Sequence, residues 1–187
     1  MDQRGLVERA RQGDHDAFAA LIDLHLARLD AAARLILRDS ELARDAVQEA
    51  LIRAWRDLPG LRDPDRFDAW LHRLLVNACL DLVRRRKRRV VEVELIPIDA
   101  PATTDFASGL ADRQLIDQAL AGLAPGHRAV VALHYLLGMP LPDVARTLGI
   151  AHGTAKSRLH YALAAMRTTV TAEPETVTAA VAGGQMA

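Results

Sequence analysis

Apolar residues in the first half of the chain recur at three- and four-residue steps, the spacing that puts them on one face of an α-helix. Phe18, Ile22, Leu29 and Ile36 form the first such stripe, with Asp14 placed to cap the segment. A second stripe of Val47, Ala50, Leu51, Ala54 and Leu58 follows Ser40 as its expected cap and stops at Pro59-Gly60. A third opens at Asp63-Pro64, with Asp63 at the N-cap and Pro64 at the first helical position, and turns Phe67, Leu71, Leu75, Ala78 and Leu82 inward. That helix ends in six consecutive cations, Arg84 to Arg89.

Residues 90–112 contain Pro97, Pro101 and Gly109 and no helical period, so an extended linker is expected there. Val91, Val93 and Leu95 alternate with Glu92 and Glu94, which admits a short strand, but a single strand finds no partner elsewhere in the chain. Helical periodicity resumes near Leu110 in the order helix, helix, turn, helix. Residues 170–187 are small and broken by Pro and Gly, and read as a disordered tail. The expected fold is all-α: two small helical domains, 1–89 and 113–169, joined by an extended acidic linker over 90–112.

Composition narrows the functional classes. Half of the 187 residues are hydrophobic, which excludes a charge-biased disordered chain, and the few aromatics leave the cores to Leu, Ala and Val. The lone Cys79 excludes an internal disulfide and a Cys-based zinc cluster and suits a reducing cytoplasm. The N-terminal Met1-Asp2-Gln3-Arg4 lacks the apolar region of an export signal, and no stretch reaches the roughly 18 apolar residues of a membrane span. A cytoplasmic protein without membrane insertion is expected. The seven His residues show no metal-ligand spacing with acids, and Cys79 has no evident His partner, so no catalytic residue, metal or cofactor is expected.

With 24 basic and 24 acidic residues the chain is formally neutral, which looks wrong for a nucleic-acid binder. Position changes that reading: residues 1–89 carry +3, 90–112 carry −5, 113–169 carry +4 and 170–187 carry −2. Two basic bodies flank an acidic strip.

The most specific local pattern runs from Asp143 to Leu159. A short helix ends at Gly149, which tolerates the left-handed conformation of a tight interhelical turn, and a second helix follows at once, as in a helix-turn-helix. On the second helix Ala155, Leu159, Ala162 and Met166 share one face, leaving Thr154, Lys156, Ser157 and His160 outward and Arg158 on the flank. Arg and Lys can bond guanine edges or phosphates, and hydroxyls near a helix N-terminus hold phosphate oxygens. An ordinary helical hairpin with a solvated face is the plain alternative, but the outward face after Asp143 carries no acid.

The cationic run alone reads as a helix end or polyanion patch. Followed backward, the same helix aligns Trp70, Leu74, Asn77, Asp81, Arg84, Arg85 and Arg88, the stacking, hydrogen-bonding and cationic groups that single-stranded DNA asks for. Trp70 suits a core position equally, and Asp81 suits pairing with Arg84 or Arg85. On the second helix, Asp45, Gln48, Glu49, Ile52, Arg53 and Arg56 lie opposite the buried stripe, and Ile52 is the apolar member of a polar face. A protein partner explains it, although single exposed apolar residues are normal.

Taken together, the stretches Ala43 to Trp55, Arg62 to Leu71, Asn77 to Arg85 and Gly153 to Leu159 resemble bacterial extracytoplasmic-function sigma factors of the sigma-70 family. The resemblance implies that the first body, region 2, grips the beta-prime clamp helices of core RNA polymerase and melts the minus-ten promoter element. It implies that the second, region 4, reads the minus-thirty-five element and packs on the beta flap. Position by position it assigns Asp45, Gln48, Glu49, Ile52 and Arg53 to core polymerase. It assigns Arg62 and the residues to Phe67 to the loop that holds a flipped minus-ten base, and Asn77, Asp81, Arg84, Arg85 and Arg88 to the melted strand and upstream duplex. Thr154, Lys156, Ser157 and Arg158, with outward His160, fall on the recognition helix. The acidic linker matches a segment threaded through the polymerase cleft, and an anti-sigma factor is an implied partner. Arg44 stands where an acid is usual, Pro140 replaces a Ser cap and Ala155 replaces a frequent Val. A dimeric helix-turn-helix regulator of palindromic sites would explain Asp143 to Leu159 but leave Asn77 to Arg89 and the Asp45 stripe unused.

Overall fold

The computed structural model describes residues 2–92 and 110–171, with side chains over 2–88 and 116–169. Among the described residues every element is helical: α1 (Gln3–Arg11), α2 (His15–Leu37), α3 (Ser40–Asp57), α4 (Phe67–Glu92), α5 (Leu110–Ala121), α6 (Pro125–Val131), α7 (Leu141–Leu148) and α8 (His152–Thr171). Short 3-10 turns at Leu58–Gly60 and Pro64–Arg66 join α3 to α4, and a π-turn over Ala132–Leu136 extends α6.

Local chemistry accounts for most of these limits. The Asp14 carboxylate accepts from the Ala17 amide and starts α2. Asp39, rather than the expected Ser40, caps α3, accepting from the Glu41 and Leu42 amides, with Ser40 as the first helical residue. Asp63 accepts from the Asp65 amide, but Pro64 opens a 3-10 turn before α4 begins at Phe67. α1 was not expected from the pattern. It is two turns long, its Asp2 cap makes no side-chain hydrogen bond, and it is held by burying Leu6, Val7 and Ala10.

The linker limits also move. α4 continues through Val90, Val91 and Glu92, and α5 already includes Leu110, Ala111 and Asp112. Glu94, Asp99, Asp105 and the rest of the expected strand and linker lie outside the described residues. Val170 and Thr171 belong to α8, and the remainder of the expected tail is likewise outside them.

The two expected bodies share one core. Leu21, Leu29, Ile36, Phe67, Leu71 and Leu75 of α2 and α4 are contiguous with Val130 and Leu133 of α6 and its π-turn and with Val144 of α7. Leu35 of α2 also packs on a smaller cluster of Leu120, Leu123, Val131 and Ala162, which joins α5, α6 and α8.

Candidate nucleic-acid and partner interface

α3 buries Ala43, Ala46, Val47, Ala50 and Ala54, so its other side is left to solvent. There Asp45, Gln48 and Glu49 are exposed, and Ile52 keeps 54% of its surface accessible, high for a residue of its size. Arg53 leans toward α4: its Nε donates to Glu49 Oε1 at 2.7 Å, and its Nη1 lies 3.7 Å from Asp81 Oδ2. Arg44 donates to both carboxylate oxygens of Glu41 at 2.9 Å, so this cation is engaged within its own helix.

Asp45, Glu49, Arg53, Ala78, Asp81, Leu82 and Arg85 line a cleft of about 180 Å³ between α3 and α4. The cleft brings Asp45, Glu49 and Arg53 of the α3 stripe next to Asp81 and Arg85 of the polar line of α4. Asp81 also accepts from Arg84 Nη1 at 3.0 Å, so it pairs with Arg84 as expected and with Arg53, which the sequence did not suggest. Beyond it Arg84, Arg85, Lys87 and Arg88 are exposed, while Arg86 reaches back to within 3.5 Å of Asp39. Asn77 is half-buried on the same helix.

Arg62 is exposed in the turn before α4. Phe67 is not: it is fully buried, with ring centroids 5.6 Å from His25 and 5.9 Å from the half-buried Trp70. The inward period that includes Phe67 therefore prevails over its placement at the surface of the loop.

In the second half, Gly149 adopts φ 64° and ψ 35°, the left-handed cap expected between α7 and α8, and its amide donates to Ala145 and Arg146 carbonyls. Pro140 precedes α7 without a side-chain cap, and Asp143 in the first turn pairs with Arg146. Ala155 and Ala162 are buried, while Leu159 and Met166 are partly buried and pack on the core. The opposite face leaves Thr154, Lys156, Ser157 and His160 exposed. Ser157 Oγ donates to the Thr154 carbonyl at 3.0 Å, which fixes the hydroxyl while leaving its lone pairs outward. Arg158 is half-buried, its guanidinium so near α6 that a Cβ on Gly126 would come within 3.3 Å of Nη1.

Burial pushes the Cys79 thiol up to about 12, and among the described residues no cluster of His, Cys, Asp or Glu is arranged to hold a metal ion. No helix among them is long and apolar enough to cross a membrane. Arg38 and the buried Arg128 are structurally prominent residues that the motif reading missed. A lone cation inside the apolar run from Ala124 to Leu133 was the available signal for Arg128.

Comparison with known proteins agrees with this arrangement. Residues 21–89 match the family described as Sigma-70 region 2, and residues 113–166 match Sigma-70, region 4. The chain is 40% identical over 154 residues to ECF RNA polymerase sigma factor SigL of Mycobacterium tuberculosis, covering 81% of this chain and 87% of that protein. Among solved structures, the sigma factor RpoE in complex with the anti-sigma factor NepR from Bartonella quintana superposes with a TM-score of 0.74 at 28% identity, covering 83% of this chain and 98% of that one. CnrH in complex with the cytosolic domain of CnrY superposes with a TM-score of 0.66 at 30% identity, covering 91% and 98%. A region 2 match and a region 4 match in the right order, over helices that present the expected polar faces, place this chain in the sigma-70 family, as a sigma factor of the ECF type.

Proposed function

We propose that this chain is a dissociable, non-catalytic subunit of cytoplasmic RNA polymerase, binding the beta-prime clamp helices through Asp45, Gln48, Glu49, Ile52 and Arg53. On this reading Arg62, Asn77, Asp81, Arg84, Arg85 and Arg88 engage the minus-ten element, with Phe67 holding their loop from inside. Thr154, Lys156, Ser157, Arg158 and His160 engage the minus-thirty-five element, and the second body docks on the beta flap. An anti-sigma factor covers these surfaces when transcription is off; the complex of RpoE with the anti-sigma factor NepR supports such a partner.

The mechanism is binding alone. Extruding a base costs a few kcal/mol, and stacking of captured bases recovers roughly 1–3 kcal/mol each. Asp81, held between Arg53 and Arg84, orients a cation at the strand and ties it to the polymerase-facing helix. The observation that carries the reading is the Asp45–Ile52 stripe, a solvent-facing surface with an apolar centre that a DNA-binding role alone leaves without use.

Core polymerase with this protein should transcribe from a discrete set of promoters in a genomic library. Absence of any specific transcript rejects the proposal. The double variant Asp45→Lys/Glu49→Lys should lose core affinity at least about tenfold with unchanged circular dichroism, the size expected for rim charges reversed against a complementary surface. Unaltered core affinity removes the stripe from the polymerase interface.

A further inference from the structure

α1 carries three arginines, and two of them are answered inside the protein. Arg9 Nε donates to Asp14 Oδ2 at 2.8 Å. Arg4 donates to Glu8 Oε1 at 3.3 Å and to Asp65 Oδ2 at 2.9 Å. Arg11 is left over. It is half-buried in the last turn of the helix, its Nε is enclosed without a hydrogen-bond partner, and among the described residues it forms no ion pair. Buried donors without partners are rare enough that each asks for a reason.

A cleft supplies one. Arg11 lines it together with Glu8, Gln12 and Pro59, and its volume of about 350 Å³ falls in the range of small-ligand sites. No internal bond fixes the guanidinium, whose planar fork grips a phosphate through two parallel hydrogen bonds. Gln12, exposed beside it, adds amide donors. Glu8 is held by Arg4 but still sets the charge that the cleft accepts. Its carboxylate repels a free phosphate or monoester, which carries nearly two charges at neutral pH, more than the single charge of a phosphodiester.

The cleft is also built onto the segment that leads into α4. Pro59 belongs to the 3-10 turn Leu58–Gly60, and α1 packs on both that turn and Pro64–Arg66. Gln3 Nε2 donates to Asp68 Oδ1 at 2.5 Å and Arg4 reaches Asp65, so the two ends of α1 meet the two ends of this segment. Between them stands the exposed Arg62, three residues from Pro59. Three residues span at most ~11 Å, the axial length of about three nucleotides. We infer that Arg11 and its cleft bind a backbone phosphate of the unpaired promoter strand, within about three nucleotides of the base held at Arg62. α1, which precedes the residues 21–89 that match region 2, thereby extends the strand-binding surface. The inference rests on the proposed assignment of Arg62 to the base-holding loop.

The test uses the full chain bound to core polymerase and a single-stranded oligonucleotide covering the minus-ten element of a promoter that this holoenzyme transcribes. Each phosphate is replaced in turn by an uncharged methylphosphonate, and affinity is read by fluorescence anisotropy. Arg11→Gln should bind the native strand about tenfold more weakly, the factor carried by hydrogen bonds to a charged group, with a salt slope lower by about 0.7. One methylphosphonate near the held base should cost the wild type about tenfold and Arg11→Gln nothing further, the non-additivity of two groups in contact. Arg11→Lys keeps the charge without the fork and should recover part of the affinity. Because the methylphosphonate series is also read on the wild type alone, it decides the matter even if a substitution at Arg11 disturbs folding: no position that stands out overturns the inference. Unchanged affinity in Arg11→Gln overturns it as well. Displacement of the strand by millimolar inorganic phosphate in the wild type but not in Arg11→Gln would make the cleft a free-phosphate site, and loss of core affinity in Arg11→Gln would assign it to the protein partner; either result overturns the strand reading. A wild-type holoenzyme that transcribes no promoter rejects the promoter reading instead. The free chain with a thymidine dodecamer then judges the cleft alone, and equal affinity in wild type and Arg11→Gln overturns it.

Discussion

His72 gives the fold a pH sensitivity with a defined window. It lies on α4, 5% exposed, with Nδ1 buried and without a hydrogen-bond partner. Burial pulls its pKa down from 6.5 to about 4; Asp68 opposes this, while His25 and Arg28 add to it. The folded protein therefore keeps His72 neutral between about pH 4 and 6.5, whereas the unfolded chain protonates it. Since the unfolded state binds the extra proton, stability contributed by the neutral ring is present in full above pH 6.5 and is lost as pH falls toward 4. The total is about 3 kcal/mol, of which roughly 2 kcal/mol is gone by pH 5. Urea unfolding at pH 7.5 and pH 5.0 measures it, with His72→Leu as the control that removes the proton site and keeps an apolar side chain. The helix-starting Asp14 does not confuse the window. The Ala17 amide and then Arg9 hold its carboxylate below the usual 3.8, so its contribution is present above that value and is lost only at more acid pH. A variant that loses as much stability as the wild type between the two pH values would refute the assignment.

Two backbone predictions follow from the caps. Gly149→Ala places a Cβ at φ 64° and should cost about 1 kcal/mol, read as a lower thermal midpoint, with Gly149→Asn less affected. Asp39→Ala should destabilise by about 1 kcal/mol because two α3 amides lose their acceptor, whereas Ser40→Ala should be near neutral. Equal losses at 39 and 40 in chemical denaturation would contradict the observed cap.

What the sequence made readable was chemistry completed within a few residues. Asp14 and Gly149 each close a turn with their own neighbours where the pattern places them, whereas Asp63 caps the 3-10 turn that precedes α4 and not α4 itself. Asp39 and Ser40 are adjacent and both cap-competent, so composition could not choose between them; the choice depends on which residue takes extended dihedrals, φ −144° and ψ 118° at Asp39. α1 escaped because two turns without a capping side chain have little intrinsic stability, and packing against α2 decides its existence. Phe67 carried two readings, an inward helical period and the edge of a base-holding loop, and burial puts its ring inside, against His25 and Trp70. The hydrogen bonds from Arg38 to the Asp117 carbonyl and from Arg128 to the Ile36 carbonyl were beyond local pattern, since the partners lie 79 and 92 residues apart in the chain.

The same dependence on three-dimensional pairing divides the six-cation run, which the sequence presents as uniform. Arg84 is held by Asp81 and Arg86 reaches Asp39, so part of each charge is already answered within the protein. Arg85 and Arg88 are exposed and, among the described residues, have no comparable carboxylate partner. A cation that neutralises a phosphate releases condensed counterions, contributing roughly 0.7 to the salt slope on single strands and 0.9 on duplex. Arg85→Ala and Arg88→Ala should therefore each lower the slope of log K against log salt by about 0.7–0.9 on promoter DNA. Arg86→Ala should lower it less, because much of its loss falls on the α3 cap, where it appears as reduced stability. Fluorescence anisotropy with a promoter fragment and core polymerase between about 50 and 200 mM salt separates these cases. Equal slope changes for all three substitutions would show that DNA pulls Arg86 away from Asp39, and the paired and unpaired cations of α4 would then be equivalent in function.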